Sequence, residues 1–354
     1  MANKTTIEWT DATWNPITGC SVTSPGCTNC YAMRLAGTRL RHLPSRKGLT
    51  IDSKAGPVWI SDVRFNEESL TLPLQWKRPR KIFVCAHGDL FHDSVPDEWI
   101  DRVFAIMTLC PQHTFQVLTK RLPRMREYCS SIQKDCRWMR MEQVAMDLGY
   151  EPRGVNDCGF DWISNRQFLP NVWLGASIED QRRADERREP MHALANIGWL
   201  TWVSYEPAIG AVDWAGWEFV RWIVSGGESG PGARPSLPDW HRSTRDFCAA
   251  HRIAFLFKQW GAWGTAAVNM GTGLPVFRQF PDFQTWVNKA QTWVNGGICI
   301  DRHGRELKIG ADFMRARDEG SFPVTIMHRV GKKAAGRLLD GIEHNAYPTS
   351  ARPT

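Results

Sequence analysis

Short, almost wholly apolar runs recur along the chain at helix-length intervals, and polar side chains come after nearly every one. The runs cover residues 13–19, 82–86, 114–119, 171–176, 200–204, 221–225 and 254–257. Unbroken stretches such as Ile82-Phe83-Val84 and Ile223-Val224 read as strands buried on both faces, which is the habit of parallel sheets. Between them lie helix-length segments such as 97–109 and 239–251, the second entered through Pro238-Asp239. Strand–helix alternation predicts a parallel sheet, either open and doubly wound or closed toward a barrel. The residues just past each run separate the two. Cys20, then His87 and Asp89, then Thr119-Lys120-Arg121 come after the first three. Ser177 and Glu179, Tyr205-Glu206, Gly226-Gly227-Glu228 and Lys258-Gln259-Trp260 come after the rest. A (β/α) barrel gathers all its strand ends at one mouth, whereas an open sheet collects only those at its switch point. The fold class read here is therefore α/β, a partial (β/α) barrel of parallel strands.

Two regions break the rhythm. Residues 43–80 carry Gly and Pro and read as an insertion before the second strand. Residues 128–169 hold Cys129, Cys136 and Cys158 and read as a helical insertion. The barrel then spans 1–264, and 265–354 form a C-terminal extension packed on it, with a hairpin at 298–307 turning at Asp301-Arg302-His303-Gly304. The 354 residues suit one barrel-sized domain with insertions, and 42% hydrophobic residues supply its core.

No apolar run reaches the ~18 residues of a membrane span, and the N-terminal residues are too polar for an export signal. The expected location is cytoplasmic, with no membrane partner. Ten cysteines without an export signal then read as reduced thiols, some of them metal ligands, rather than as a disulfide framework. The net charge of +7 favours an anionic partner weakly. The basic runs 77–81 and 182–188 read as solvated faces more readily than as nucleic-acid sites. Most of the 18 Trp read as core, the remainder as walls on which bases stack.

Cys20, Cys27 and Cys30 form the sharpest motif, with six residues in the first gap and two in the second. A C-x-x-C turn brings two sulfurs within one metal's reach, and Pro25-Gly26 lets the longer loop double back. Three thiolates can hold three irons of a [4Fe–4S] cluster and leave the fourth open. A zinc site would want a fourth Cys or His, and the nearest, His42, lies twelve residues past Cys30. Cys85, Cys110 and Cys248 lie in apolar segments and read as core. Cys129, Cys136 and Cys158 form a loosely spaced candidate for a second site, weaker than buried thiols as a reading.

The triad after a first strand resembles the radical S-adenosylmethionine superfamily, whose usual motif has three residues rather than six in the first gap. Tyr31 is similar to the aromatic that commonly follows the last cysteine there. The wider set resembles the phage-associated three-cysteine-motif family. It includes Ile7-Glu8-Trp9-Thr10-Asp11, Asp89-Leu90-Phe91-His92, Leu118-Thr119-Lys120-Arg121 and Ser177-Ile178-Glu179-Asp180. Glu206-Pro207, the run from Ser225 to Pro235, Phe257-Lys258-Gln259-Trp260-Gly261 and Val330-Gly331-Lys332-Lys333 complete it.

The resemblance implies a [4Fe–4S] cluster on Cys20, Cys27 and Cys30 with S-adenosylmethionine as cofactor. Asp89, Thr119, Lys120, Ser177, Glu179 and Glu228 are the expected cofactor contacts. Asp89 stands after the second strand, where the superfamily holds the methionine amino group, while Gly226-Gly227-Glu228 has the familiar letters after a later strand. Glu206 and Lys258 are the candidate catalytic residues. The implied function is radical chemistry on a nucleic-acid or nucleotide-type substrate, for modification or repair, with an electron donor such as flavodoxin or ferredoxin and room for a partner protein. The rival readings are a zinc- or cluster-binding nucleic-acid protein without radical catalysis, and a barrel that keeps its cluster but has lost the chemistry.

Overall fold

A computed structural model describes residues 5–150 and 168–349. Seven strands form its main sheet: β1 (Ala12–Trp14), β2 (Lys81–Val84), β3 (Thr114–Thr119), β4 (Val172–Ser177), β5 (Leu200–Tyr205), β6 (Trp222–Gly226) and β7 (Ala254–Gln259). Each pairs in parallel with its neighbour in chain order, from β1 to β7 without reversal. An order that never turns back curls toward a barrel and has no switch point. The sheet is accordingly a half-barrel wrapped by helices, the partial barrel that the strand-end pattern predicts.

Alternation along each strand sorts side chains between two faces. Outward residues such as Val84, Val117, Leu174, Val203 and Ile223 pack under the helices in the largest apolar cluster. Those helices include α1 (Tyr31–Gly37), α2 (Asp97–Leu109), α3 (Leu122–Lys134), α4 (Arg137–Asp147), α5 (Gln181–Ile197) and α6 (Pro238–Ala250). Inward residues form a second cluster of Phe83, Trp173, Trp202, Trp222, Val224 and Leu256, capped by Trp9 from the N-terminal segment. Trp202 stands 5.3 Å from Trp9 and 5.1 Å from Trp222, ring centre to ring centre. The barrel interior is thus floored with indoles below the level of the strand ends.

The expected first strand is cut short. Asn15-Pro16 ends β1, since Pro has no N–H to give the ladder. Ile17–Thr18 leaves the sheet to pair antiparallel with Arg64–Phe65, inside the first insertion. That insertion also holds the hairpin Thr50–Ser53 with Gly56–Trp59. Of the second insertion, α4 packs on α2, with Arg137 paired to Asp97. Cys129 is buried on α3 and Cys136 is exposed, while Cys158 lies outside the described residues. Cys85, Cys110 and Cys248 are buried as the apolar segments around them require.

The C-terminal extension builds a small antiparallel sheet from β8 (Gln279–Phe280), β9 (Ile298–Ile300), β10 (Glu306–Leu307) and β11 (Val324–Met327), in the order β8-β11-β9-β10. β9 and β10 are the expected hairpin, and Gly304 closes its turn to the Asp301 carbonyl. Ile300 and Met327 reach into the barrel's apolar cluster and join the two parts. Among the described residues no helix is long and apolar enough to cross a membrane.

Candidate functional site

The cysteine loop leaves the sheet at Gly19, whose φ of +97° and whose closeness to the Asp62 carbonyl leave no room for a Cβ. A single 3-10 turn, Pro25–Cys27, brings the chain back. Cys27 N donates to Ser24 O at 2.9 Å and Cys30 N to Cys27 O at 3.2 Å, after which α1 begins. Cys27 is buried, Cys20 and Cys30 are half-buried, and all three are free thiols.

Four carboxylates crown the strands, and each is held by at least one cation. Asp89 meets Arg121 at 2.9 Å and also accepts from Thr119 Oγ1 at 2.7 Å and from the Phe91 N–H. Glu179, fully buried, meets Lys120 Nζ and Arg187 Nη1, each at 2.6 Å. Glu206 meets Lys258 Nζ at 2.8 and 2.9 Å. Glu228 meets Arg234 Nη2 at 2.6 Å and accepts from the Arg234 N–H as well.

Three of the four pairs hold the cysteine loop. Arg121 donates to Ser21 Oγ and reaches Cys20 Sγ at 3.6 Å, while His92 Nε2 lies 3.0 Å from the same Ser21 hydroxyl. Ser24 Oγ donates to Glu179 and accepts from Lys120 at 3.0 Å. Arg234 Nη2 donates to the Pro25 carbonyl at 3.0 Å, and Asn29 donates to Glu228 at 3.0 Å. The Glu206–Lys258 pair is turned instead toward Gln259, whose amide donates to Glu206 at 3.3 Å.

Glu206 and Lys258 continue the inward-facing rows of Trp202-Ser204 and Ala254-Leu256, so they stand above the indole floor. Ser177 continues the row of Trp173 and Gly175 in the same way. The Tyr31 hydroxyl donates to the Ala86 carbonyl at 2.7 Å, just past the end of β2. Tyr31 is 48% accessible, yet surrounding protein, then the charges of Cys30 and Glu206, raise its phenol pKa. Tyr31 and the Glu206–Lys258 pair thus stand near one another at the strand-end mouth.

The thiols differ. Burial, and next Asp89, push the Cys20 pKa up to about 12, with Arg121 pulling against them. Burial also raises that of Cys30. At Cys27 burial is outweighed by Lys120 and by hydrogen bonds from Thr23 and Ser24, and the net shift is downward. Neighbouring cations of this kind favour thiolates, the form that binds metal. Among the described residues no three His, Cys, Asp or Glu side chains gather closely enough to hold one metal ion. A cluster would ask for a different arrangement, one thiolate on each of three irons; Lys120 favours that form at Cys27, while burial holds Cys20 and Cys30 toward the thiol.

The structure brings Cys20, Cys27, Cys30 and all the expected strand-end residues to one end of the sheet. Asp89, Thr119, Lys120, Glu179 and Glu228, expected to touch a cofactor, are engaged by protein partners. Arg187, read with its neighbours as a solvated basic face, is buried against Glu179. Ser21, Ser24, Asn29 and Arg187 carry no sequence signal of a site. Only the oddly long Cys20–Cys27 gap hints that the loop needs its own supports.

Residues 4–348 match the sequence family described as Protein of unknown function (DUF5131). No curated protein and no solved structure matches the chain.

Proposed function

We propose that this chain, which belongs to the DUF5131 family, carries a [4Fe–4S] cluster on Cys20, Cys27 and Cys30 and is a radical S-adenosylmethionine enzyme acting on a nucleic-acid or nucleotide-type substrate. The observation that carries the reading is the docking of a three-cysteine loop onto three strand-end ion pairs of a parallel half-barrel, with a fourth pair left free of the loop. Cys20, Cys27 and Cys30 would hold the cluster, which would supply the one electron that cleaves S-adenosylmethionine to methionine and, with a hydrogen atom taken from the substrate, 5′-deoxyadenosine.

The chain's own residues orient and enclose. Arg121 and Lys120 set positive charge beside the thiolates, where it offsets the anionic ligand set. The indole floor beneath the mouth offers a reactive intermediate an apolar support. Glu206 and Lys258, paired with each other and free of the cysteine loop, offer an acceptor and a donor at the mouth to a ligand with both kinds of group. The stretch that runs from the cysteine loop through α1 to the first hairpin supports an anionic substrate. No Asp or Glu occurs between Asp11 and Asp52, while Arg39, Arg41 and Lys47 lie exposed there.

Anaerobic reconstitution with iron and sulfide tests the proposal. Wild type should turn brown, hold iron and sulfide in [4Fe–4S] proportion, and form 5′-deoxyadenosine from S-adenosylmethionine with dithionite. Glu206→Gln should keep the cluster but lose at least ~10-fold of that product, one charge-assisted hydrogen bond's worth. A colourless zinc protein with salt-dependent nucleic-acid affinity would overturn the reading. A brown protein that never cleaves S-adenosylmethionine would leave the cluster and remove the chemistry.

A further inference from the structure

We propose that Glu179, clamped between Lys120 and Arg187, is a positioning residue that latches the long Cys20–Cys27 segment and sets where Cys27 stands. The segment is six residues long and has no regular structure before its 3-10 turn, so its conformation must come from elsewhere. Ser24 lies at its middle and is buried, with its hydroxyl on Glu179 and Lys120. The same hydroxyl lies 3.8 Å from Cys27 Sγ, and Thr23 Oγ1 lies 3.7 Å from it. Gly26 lies flat on the pair, where an added Cβ would stand 2.7 Å from Glu179 Cγ and from Lys120 Nζ. The pair cannot retreat, because Arg187 holds Glu179 Oε2 from behind and also donates to the Ser177 carbonyl. Glu179 therefore fixes Cys27 through Ser24 and Gly26 without touching the thiol itself. The fully buried carboxylate with three partners makes sense as this anchor, since a surface ion pair would do little to order a loop.

Two readouts test it, and only the second depends on the proposed cluster. The first is alkylation of Cys27 in the metal-free protein, followed by mass spectrometry and taken on the alkaline plateau, where the rate reports access and not ionisation. Ser24→Ala and Glu179→Gln should label Cys27 about tenfold faster than wild type, the factor set by one lost hydrogen bond to a charged group. Ser24→Thr, which keeps the hydroxyl, should restore the wild-type rate. Buried Cys248 reports unfolding: should Glu179→Gln expose it, the Ser24 pair still decides. The second readout is loss of reconstituted iron to a chelator. It should be several-fold faster in Ser24→Ala than in wild type or Ser24→Thr. Wild-type labelling rates at Cys27 in a folded Ser24→Ala would overturn the latch. A wild type that takes up no cluster would sink the enzymatic reading yet leave the labelling result standing.

Discussion

His241 is the clearest titrating side chain away from the mouth. It is wholly buried on α6, with Nδ1 2.7 Å from Ser225 Oγ and Nε2 2.7 Å from Ser236 Oγ. Phe257 and Trp260 close over it at 4.9 and 5.2 Å, and Tyr205 lies 6.2 Å away. With hydroxyls and aromatic rings as these neighbours, burial pushes its pKa down to about 3. Between that value and the ordinary 6.5 the unfolded chain binds a proton that the native chain refuses. Stability therefore rises with pH there and is lost as pH falls below ~6.5. His241→Asn should flatten urea-unfolding free energy between pH 7 and 5 relative to wild type, by up to ~1.4 kcal/mol per pH unit. An equal slope in both proteins would show that the imidazole is hydrated in the folded state. Nothing in the sequence marks His241, a single imidazole in an amphipathic helix. The strand-end residues were legible because each comes after an apolar run, but their partners were not. Arg187 sits within a run of basic side chains on α5, and only the packing of that helix beside β4 singles it out for Glu179.

At the scale of elements, the strands were legible and their faces were not. Runs buried on both sides announce seven parallel strands, yet such runs cannot say which face is the lumen. The floor of Trp173, Trp202 and Trp222 emerges only once the sheet curls. The short β1 has a similar cause: the partner of Ile17–Thr18 is Arg64–Phe65, far along the chain inside an irregular insertion. The floor makes its own demand on the sequence. Gly175 of β4 lies under the Trp202 ring, and a Cβ there would be 2.4 Å from Cε2. Trp202 cannot yield, being wedged by Trp9 and Trp222 and tied through Nε1 to the Trp173 carbonyl at 3.2 Å. Gly175→Ala should therefore cost about 1–3 kcal/mol by overpacking, despite the gain of ~0.5–1 kcal/mol that replacing a strand glycine otherwise brings. Urea unfolding monitored by Trp fluorescence measures it. A variant as stable as wild type would mean the indole floor has slack.

A half-barrel has two edges and an open flank, and in the whole molecule both chain ends attend to them. Residues 344–346 run antiparallel along β7: Phe257 N donates to His344 O at 3.0 Å and Ala346 N to Phe255 O at 3.2 Å. An edge strand left bare would invite pairing with another chain, and this segment covers it. It then turns inward. Trp222 Nε1 donates to the Ala346 carbonyl at 2.9 Å, and the Tyr347 ring lies 5.3 Å from that of Trp222. Tyr347 also crosses to the first edge, its hydroxyl donating to the Glu8 carbonyl at 3.3 Å and its ring lying 4.6 Å under Lys81 Nζ. Lys332 meets Glu8 at 3.6 Å on the same flank. The segment thus spans the gap between β7 and the β1 side, which a plain edge strand would not do. Ending the chain after Glu343 should lower the melting temperature by roughly 5 °C, as the loss of several kcal/mol of apolar burial and edge pairing would in a chain of this size. Hydrogen exchange discriminates the two roles. If the segment closes the barrel, amides of residues 7–10 lose protection together with those of 254–259. If only 254–259 are affected, the segment is an edge strand and the N-terminal residues cap the indole floor unaided.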